Sequence, residues 1–178
     1  MKKWLKYVKP YTKYFILGPL SMAVEVVGEI VMPFLLCLAN AVTSIFENAR
    51  NKKFVQRAGQ VLDESKIIRV AVVGSYGKTS VKNILKSILE EKYSVVATPQ
   101  SYNTPMGIAK TVLSPAFADK QVLIAEMGAR KQGDVQELVD LVKPDFAVFT
   151  GVCEQHIQTF GSLENVWAEK SEILRHGV

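Results

Sequence analysis

Four short apolar runs, each followed by a segment with helical spacing, fill the chain after residue 66 and leave few folds open to it. Ile67–Val73 is β-branched, and Val81, Ile84, Leu85, Ile88 and Leu89 then mark one helix face. Ser94–Thr98 reads as a second strand, followed by a helix after Pro105 that carries Ile108, Ala109, Val112 and Leu113. Pro suits a first helical turn because its missing N–H would have no partner there. Gln121–Glu126 and Asp145–Thr150 are the third and fourth strands, with a helix starting near Asp134 between them. Ser162 is placed as the N-cap of a last helix bearing Val166, Trp167, Ile173 and Leu174. Strand alternating with helix four times predicts an α/β fold, a parallel sheet with flanking helices. In such a sheet ligands bind along the carboxyl edge, so the residues that follow each strand are the candidates for chemistry.

The first strand runs into Gly74-Ser75-Tyr76-Gly77-Lys78-Thr79-Ser80, a glycine turn leading straight into a helix. Backbone N–H groups at such a turn, with the helix N-terminus behind them, suit a polyphosphate. Lys78 supplies a point charge for terminal phosphates, and the Thr79 hydroxyl can ligate Mg²⁺. Val72 stands where the usual phosphate-loop pattern has its first glycine, so the match to that pattern is partial. The second strand is followed by a long polar loop, Thr98 to Pro105, in which Asn103 is the candidate ligand; on turn chemistry alone it reads equally as a residue satisfying loop backbone. The third strand ends in Glu126, a carboxylate at the mouth of a phosphate site, which is what Mg²⁺ requires. Beyond the fourth strand stands His156, one of only two histidines. Taken alone, His156 reads as a solvated loop residue and Lys170 as a surface charge.

The first 46 residues have a different character. From Phe15 to Phe46 the only charges are Glu25 and Glu29, and a lysine-rich stretch interleaved with aromatic residues precedes them. One membrane crossing fits, since a span needs about 20 apolar residues. Lysines before it and Arg50, Lys52, Lys53 and Arg57 after it ask for the same side of the membrane. The expectations are therefore an interfacial or re-entrant hairpin bent at Pro33, or pairing with further spans; a buried helix of a soluble protein is the alternative. Residues 1–46 form the predicted membrane-associated segment and 47–178 the globular domain, which opens with an amphipathic helix carrying Phe54, Val55, Ala58, Val61 and Leu62. The net charge of +5 is accounted for by Lys2, Lys3, Lys6, Lys9 and Lys13, so no nucleic-acid partner is expected of the globular part. Cys37 and Cys153 are too few and too far apart for a structural zinc site, and both read as reduced thiols of a cytoplasmic protein.

G-S-Y-G-K-T-S, Y-N-T-P-M-G-I-A-K, E-M-G-A-R with G-D behind it, H-I-Q-T-F-G-S-L-E-N and A-E-K-S-E-I-L, in that order, resemble the central ATP-binding domain of the Mur ligases. The resemblance covers roughly Glu47 to Arg175 and is nearest to the branch that adds D-alanyl-D-alanine to a UDP-muramoyl tripeptide. It implies an ATP-dependent ligase of cell-wall precursor synthesis that phosphorylates a carboxylate and lets an amine displace the phosphate. It further implies ATP and Mg²⁺ as cofactors, and a UDP-muramoyl peptide and a D-amino-acid dipeptide as substrates. Transferred residue by residue, Gly74 to Ser80 and Asn103 line the nucleotide site, Lys78 meets the γ-phosphate, and Thr79 with Glu126 holds one magnesium. His156 and Glu126 hold a second, and Lys170 matches a carbamylated lysine beside it. Where the branch has a UDP-sugar domain this chain has its hydrophobic segment, and it stops at Val178. The expectation is a truncated ligase, at the inner face of the cytoplasmic membrane, that binds nucleotide without completing ligation alone. A membrane-tethered nucleotide-binding scaffold without turnover is the alternative. Met1 to about Asn40 also resembles the opening helices of ABC exporters, but the L-S-G-G-Q-type signature of an ABC ATPase is absent.

Overall fold

The computed structural model of the chain describes residues 11–153 and 157–176. The chain divides into two units, Met1–Ala49 and Arg50–Val178. In chain order the elements are α1 (Thr12–Glu64), β1 (Ile68–Val73), α2 (Lys78–Glu90), β2 (Val95–Ala97), α3 (Pro105–Val112), β3 (Val122–Glu126), α4 (Asp134–Val142), β4 (Phe146–Phe149), α5 (Ile157–Phe160), α6 (Leu163–Ser171) and α7 (Ile173–His176).

In the first unit the described residues from Thr12 onward are helical, and the large apolar side chains from Leu17 to Phe46 lie exposed, Phe34 at 72% and Phe46 at 73%. The stretch has a mean hydropathy of 2.0 over its most apolar window and is long enough to cross a membrane. Glu25 and Glu29 are exposed with it. The structure overturns the hairpin expected at Pro33. Pro19 and Pro33 both lie inside one helix, and the amphipathic stretch expected to start afresh after residue 47 is the same helix continued. An internal proline removes one ladder hydrogen bond and crowds the turn before it, which bends a helix but does not oblige the chain to reverse.

In the second unit the strands form one parallel sheet in the order β2-β3-β1-β4. The register pairs Val72 with Glu126 and Val73 with Phe149, so the ends of three strands are level at one edge. Alternate residues of each strand face opposite ways. Val70, Val72, Val122 and Ile124 therefore pack under Val81, Leu85 and Leu89 of α2. Ala71, Val73, Leu123 and Ala125 belong to the larger core on the other side, with Leu62, Ile108, Leu138 and Ile173. Those four are fully buried, and truncating any of them to Ala costs about 2–5 kcal/mol. Burial on both faces explains why the strands read as continuous apolar runs.

Helix starts follow the expected chemistry. Thr104 is extended and its hydroxyl accepts from the Gly107 N–H ahead of Pro105, and the Ser162 hydroxyl accepts from the Asn165 N–H. The last helix differs from expectation: it breaks at Glu172 into α6 and α7, and the short α5 precedes it. Arg69 fastens the opposite end of the sheet. Its guanidinium donates to the Val142 carbonyl at 3.1 Å and to the Leu62 carbonyl, while its backbone N–H donates to Asp145 at 2.7 Å. One cation thus serves the last carbonyls of two helices, where positive charge is favoured.

Candidate functional site

Parallel strands of matched register deliver three loops to one rim. The loop after β1 turns on two glycines with left-handed-side backbones, Gly74 at φ +148° and Gly77 at φ +71°. A Cβ at Gly74 would lie 2.1 Å from the Thr150 hydroxyl oxygen, so the position admits glycine alone. That hydroxyl donates to the Tyr76 carbonyl at 2.6 Å, and the Ser75 N–H donates to the Gly151 carbonyl at 2.8 Å. The loop after β4 therefore braces the turn after β1. Gly77 forms the N-cap of α2, whose first residues are Lys78, Thr79 and Ser80. The first turn of α2 points unpaired N–H groups out of the sheet edge, the arrangement that receives anions.

Lys78 is half-buried, and its ammonium folds back onto the Gly74 carbonyl at 2.8 Å. Burial lowers its pKa, with Glu126 and Cys153 opposing the shift. The Thr79 hydroxyl donates to Glu126 Oε2 at 2.9 Å. Glu126 is 2% exposed, and Thr98 meets its backbone N–H with a hydroxyl oxygen at 3.1 Å. The same Oε2 takes a 3.0 Å bond from Lys82, a buried lysine that also donates to the Gln100 carbonyl.

Lys170 reaches the rim from α6. It is 2% exposed, and its ammonium donates to the Ser75 hydroxyl at 2.9 Å. Burial lowers its pKa to about 8, repulsion from Lys78 adds to that shift, and Cys153 opposes it. Lys78, Lys170 and Asn103 line one cavity of about 310 Å³, together with Arg130, Asp134 and Glu137. Asn103 serves as a spacer there. Its carbonyl accepts from the Gly128 N–H at 2.9 Å, and its side chain lies so close that a Cβ on Gly128 would meet it at 2.7 Å.

The structure thus brings Gly74, Ser75, Gly77, Lys78, Thr79, Asn103, Glu126 and Lys170 to one rim, with Tyr76 and Ser80 exposed beside them. His156 lies outside the described residues. A family model for the Mur ligase middle domain matches residues 72–177. The chain belongs to the Mur ligase family. Its sequence is 35% identical over 114 residues to the UDP-N-acetylmuramoyl-tripeptide–D-alanyl-D-alanine ligase of Rickettsia prowazekii, covering 64% of this chain and 25% of that protein. The Bacillus subtilis ligase of the same name is 34% identical over 105 residues, 59% of this chain and 23% of its own. Among solved structures, the MurF ligase of Thermotoga maritima in complex with ADP matches with a TM-score of 0.67 at 33% identity, over 71% of this chain and 30% of that one. MurF from Acinetobacter baumannii matches with a TM-score of 0.66 at 26% identity, over 72% and 28%. The chain spans about a quarter of the length of the curated relatives it matches. The family match begins at residue 72, so it lends nothing to the ABC-exporter resemblance of the first forty residues.

Sequence reading missed several members of this Mur ligase rim. Lys82 stands one helical turn after Lys78 and one residue short of a turn after Thr79, a spacing that puts all three on neighbouring positions. Ser75 appeared as a phosphate-loop residue, whereas its hydroxyl also receives Lys170. Glu169 had no assignment. Buried at 8% exposure, it accepts from the Gly133 N–H at 2.9 Å and the Val135 N–H at 2.8 Å, capping α4 from a different helix. That cap fixes α6 against α4 and so aims the next residue, Lys170, at the phosphate turn.

Proposed function

We propose that this chain carries the ATP-handling site of an ATP-dependent acid–amino-acid ligase of peptidoglycan precursor synthesis. The observation that supports this most is the Thr79 hydroxyl meeting the buried Glu126 carboxylate at 2.9 Å, directly behind a glycine turn that opens a helix. The amides of Tyr76 to Ser80 take the phosphates of ATP, since the Ser75 N–H is held by Gly151, and Lys78 exchanges the Gly74 carbonyl for a phosphate oxygen. Lys78 and Lys170 bond to Gly74 and Ser75 of the glycine turn and place positive charge where phosphate oxygens would lie.

A hydroxyl and a carboxylate are hard oxygen donors and suit Mg²⁺, which takes few protein ligands and completes its shell with water and phosphate. Thr79 and Glu126 would hold one such ion; the second, on Glu126 and His156, rests on the family resemblance. Bound there, magnesium offsets charge between the nucleotide and an incoming carboxylate. The described residues contain no cluster of three or more His, Cys, Asp or Glu that could hold an ion by themselves.

Lys170 fits a carbamylated lysine. Its lowered pKa supplies the neutral amine that adds to the carbon of CO₂ with loss of one proton, turning a cation into a carboxylate. The acceptor carboxylate attacks the γ-phosphorus of ATP, ADP leaves, and an acyl phosphate results. An amine then displaces inorganic phosphate and forms the amide. A UDP-muramoyl tripeptide and D-alanyl-D-alanine are the substrates we assign, as in the named relatives. The apolar part of α1, residues 17–46, would hold the protein at the inner face of the cytoplasmic membrane, where ATP is available.

The decisive experiment measures ADP binding by the whole chain in MgCl₂. Lys78→Ala should weaken it by roughly tenfold or more, the worth of one charge-assisted hydrogen bond. Equal affinity in the variant would refute the reading.

A further inference from the structure

A buried lysine is costly, since the desolvation of both charges in a buried pair often exceeds their attraction, and an apolar pair of similar volume packs as well or better. Lys82 is such a lysine. It is 1% exposed, heads the fully buried side chains by volume, and pairs with a carboxylate buried as deeply as itself. Its place in the core is therefore poorly explained by stability, and its contacts are specific. The ammonium touches two things: Glu126 Oε2 at 3.0 Å and the Gln100 carbonyl.

Each contact fixes something the rim needs. Thr79 and Lys82 both bond Oε2, so Oε1 takes neither bond while the carboxylate plane is held by two donors. Thr98 holds the same residue by its backbone N–H. Gln100 has a left-handed backbone, φ +44°, at the bend of the loop that brings Asn103 to Gly128. Lys82 thus joins the loop after β2 to the carboxylate that ends β3, and it does so from the helix that begins at the phosphate turn.

We propose that Lys82 is the positioning residue of the magnesium site: it sets the orientation of Glu126 and the bend at Gln100, and so sets how strongly Mg²⁺ tightens nucleotide binding. This rests on the ATP-handling reading above. Lys82 acts through Glu126 and needs no contact with the nucleotide. Partners of this kind around a metal ligand are typically worth 10–100-fold in metal affinity.

The test uses the full chain and ADP as probe, titrated in EDTA and again across a range of MgCl₂. In the wild type Mg²⁺ should raise ADP affinity. In Lys82→Met, of similar length without the charge, the Mg²⁺ concentration giving half of that gain should rise about tenfold or more, while metal-free ADP affinity changes less than threefold. A residue that merely supports the fold would lower both affinities together. Lys82→Arg, which keeps a charged donor, should recover part of the gain. Lys82→Gln, neutral but still able to donate to Gln100, serves where Lys82→Met does not fold, with the same split expected. A wild-type Mg²⁺ response in the neutral variants, or equal loss with and without metal, overturns the proposal. A wild type that binds no ADP in Mg²⁺ refutes the ATP-handling reading itself, and this inference with it.

Discussion

Lys170 offers the sharpest test because its chemistry is set by burial. Its pKa of about 8 compares with 10.5 for an unburied lysine. At pH 8 about half of the buried amine is neutral against roughly one in 300 for a free lysine, an advantage on the order of 150-fold for reaction with CO₂. Held at constant dissolved CO₂ labelled with ¹³C, the protein should show one carbamate carbon by NMR that grows from pH 7 to pH 9. It should vanish in Lys170→Met. The same shift fixes the sign of a stability change. Folded Lys170 sheds its proton near pH 8, whereas the unfolded chain keeps it to about 10.5, so the unfolded state binds more protons between those values. The burial penalty is present in full below pH 8 and is lifted as pH climbs through that window. Urea denaturation of CO₂-free protein should therefore show the wild type gaining on Lys170→Met between pH 8 and 10.5. A carbamate signal of equal size in both proteins, or parallel stability curves, would refute the assignment of an amine tuned by burial.

Gly74→Ala forces a Cβ to within 2.1 Å of the Thr150 hydroxyl oxygen at a backbone angle foreign to alanine, and displaces the bond from Thr150 to Tyr76. Strain and the lost bond together should cost roughly 3 kcal/mol by urea denaturation, and an unchanged midpoint would show that the two loops are not braced. Glu169→Gln places an amide where two backbone N–H groups need acceptors. Stability should fall by about 2 kcal/mol, and the Lys170 carbamate signal should fall with it because α6 loses its fastening. For α1, flotation with phosphatidylcholine–phosphatidylglycerol vesicles should carry the whole chain upward, and Phe34→Lys with Leu36→Lys should reduce partitioning more than about 100-fold at the membrane cost of two lysines. Equal flotation would exclude insertion of that segment.

The sheet was legible because its signals are local in the sequence. A short continuous apolar run such as Val70 to Val73 marks a strand buried on both faces, and 3.6-residue spacing in Val81, Leu85 and Leu89 marks the helix face that covers it. The rim was legible because residues after parallel strands share one edge, which is why Lys78, Thr79 and Glu126 could be grouped before any distance was known. What escaped was pairing over long separations. Nothing near Lys82 marks it as buried, since on a helix with Lys86 and Glu90 it looks like another surface charge, and its partner stands 44 positions away. Ser75 and Lys170 are 95 positions apart, and Glu169 finds its partners at the start of α4, 34 to 36 residues earlier. Pro33 misled for the opposite reason: its local signal is strong, yet an otherwise unbroken apolar helix carries it.

Arg69 gives the sheet a mechanical property. One guanidinium holds terminal carbonyls of α1 and α4 while its own backbone is paired within β1 and tied to Asp145, so two helix ends and the strand that leads into Gly74 share a single anchor. Loss of that one side chain would release two helix ends from the base of the sheet at once.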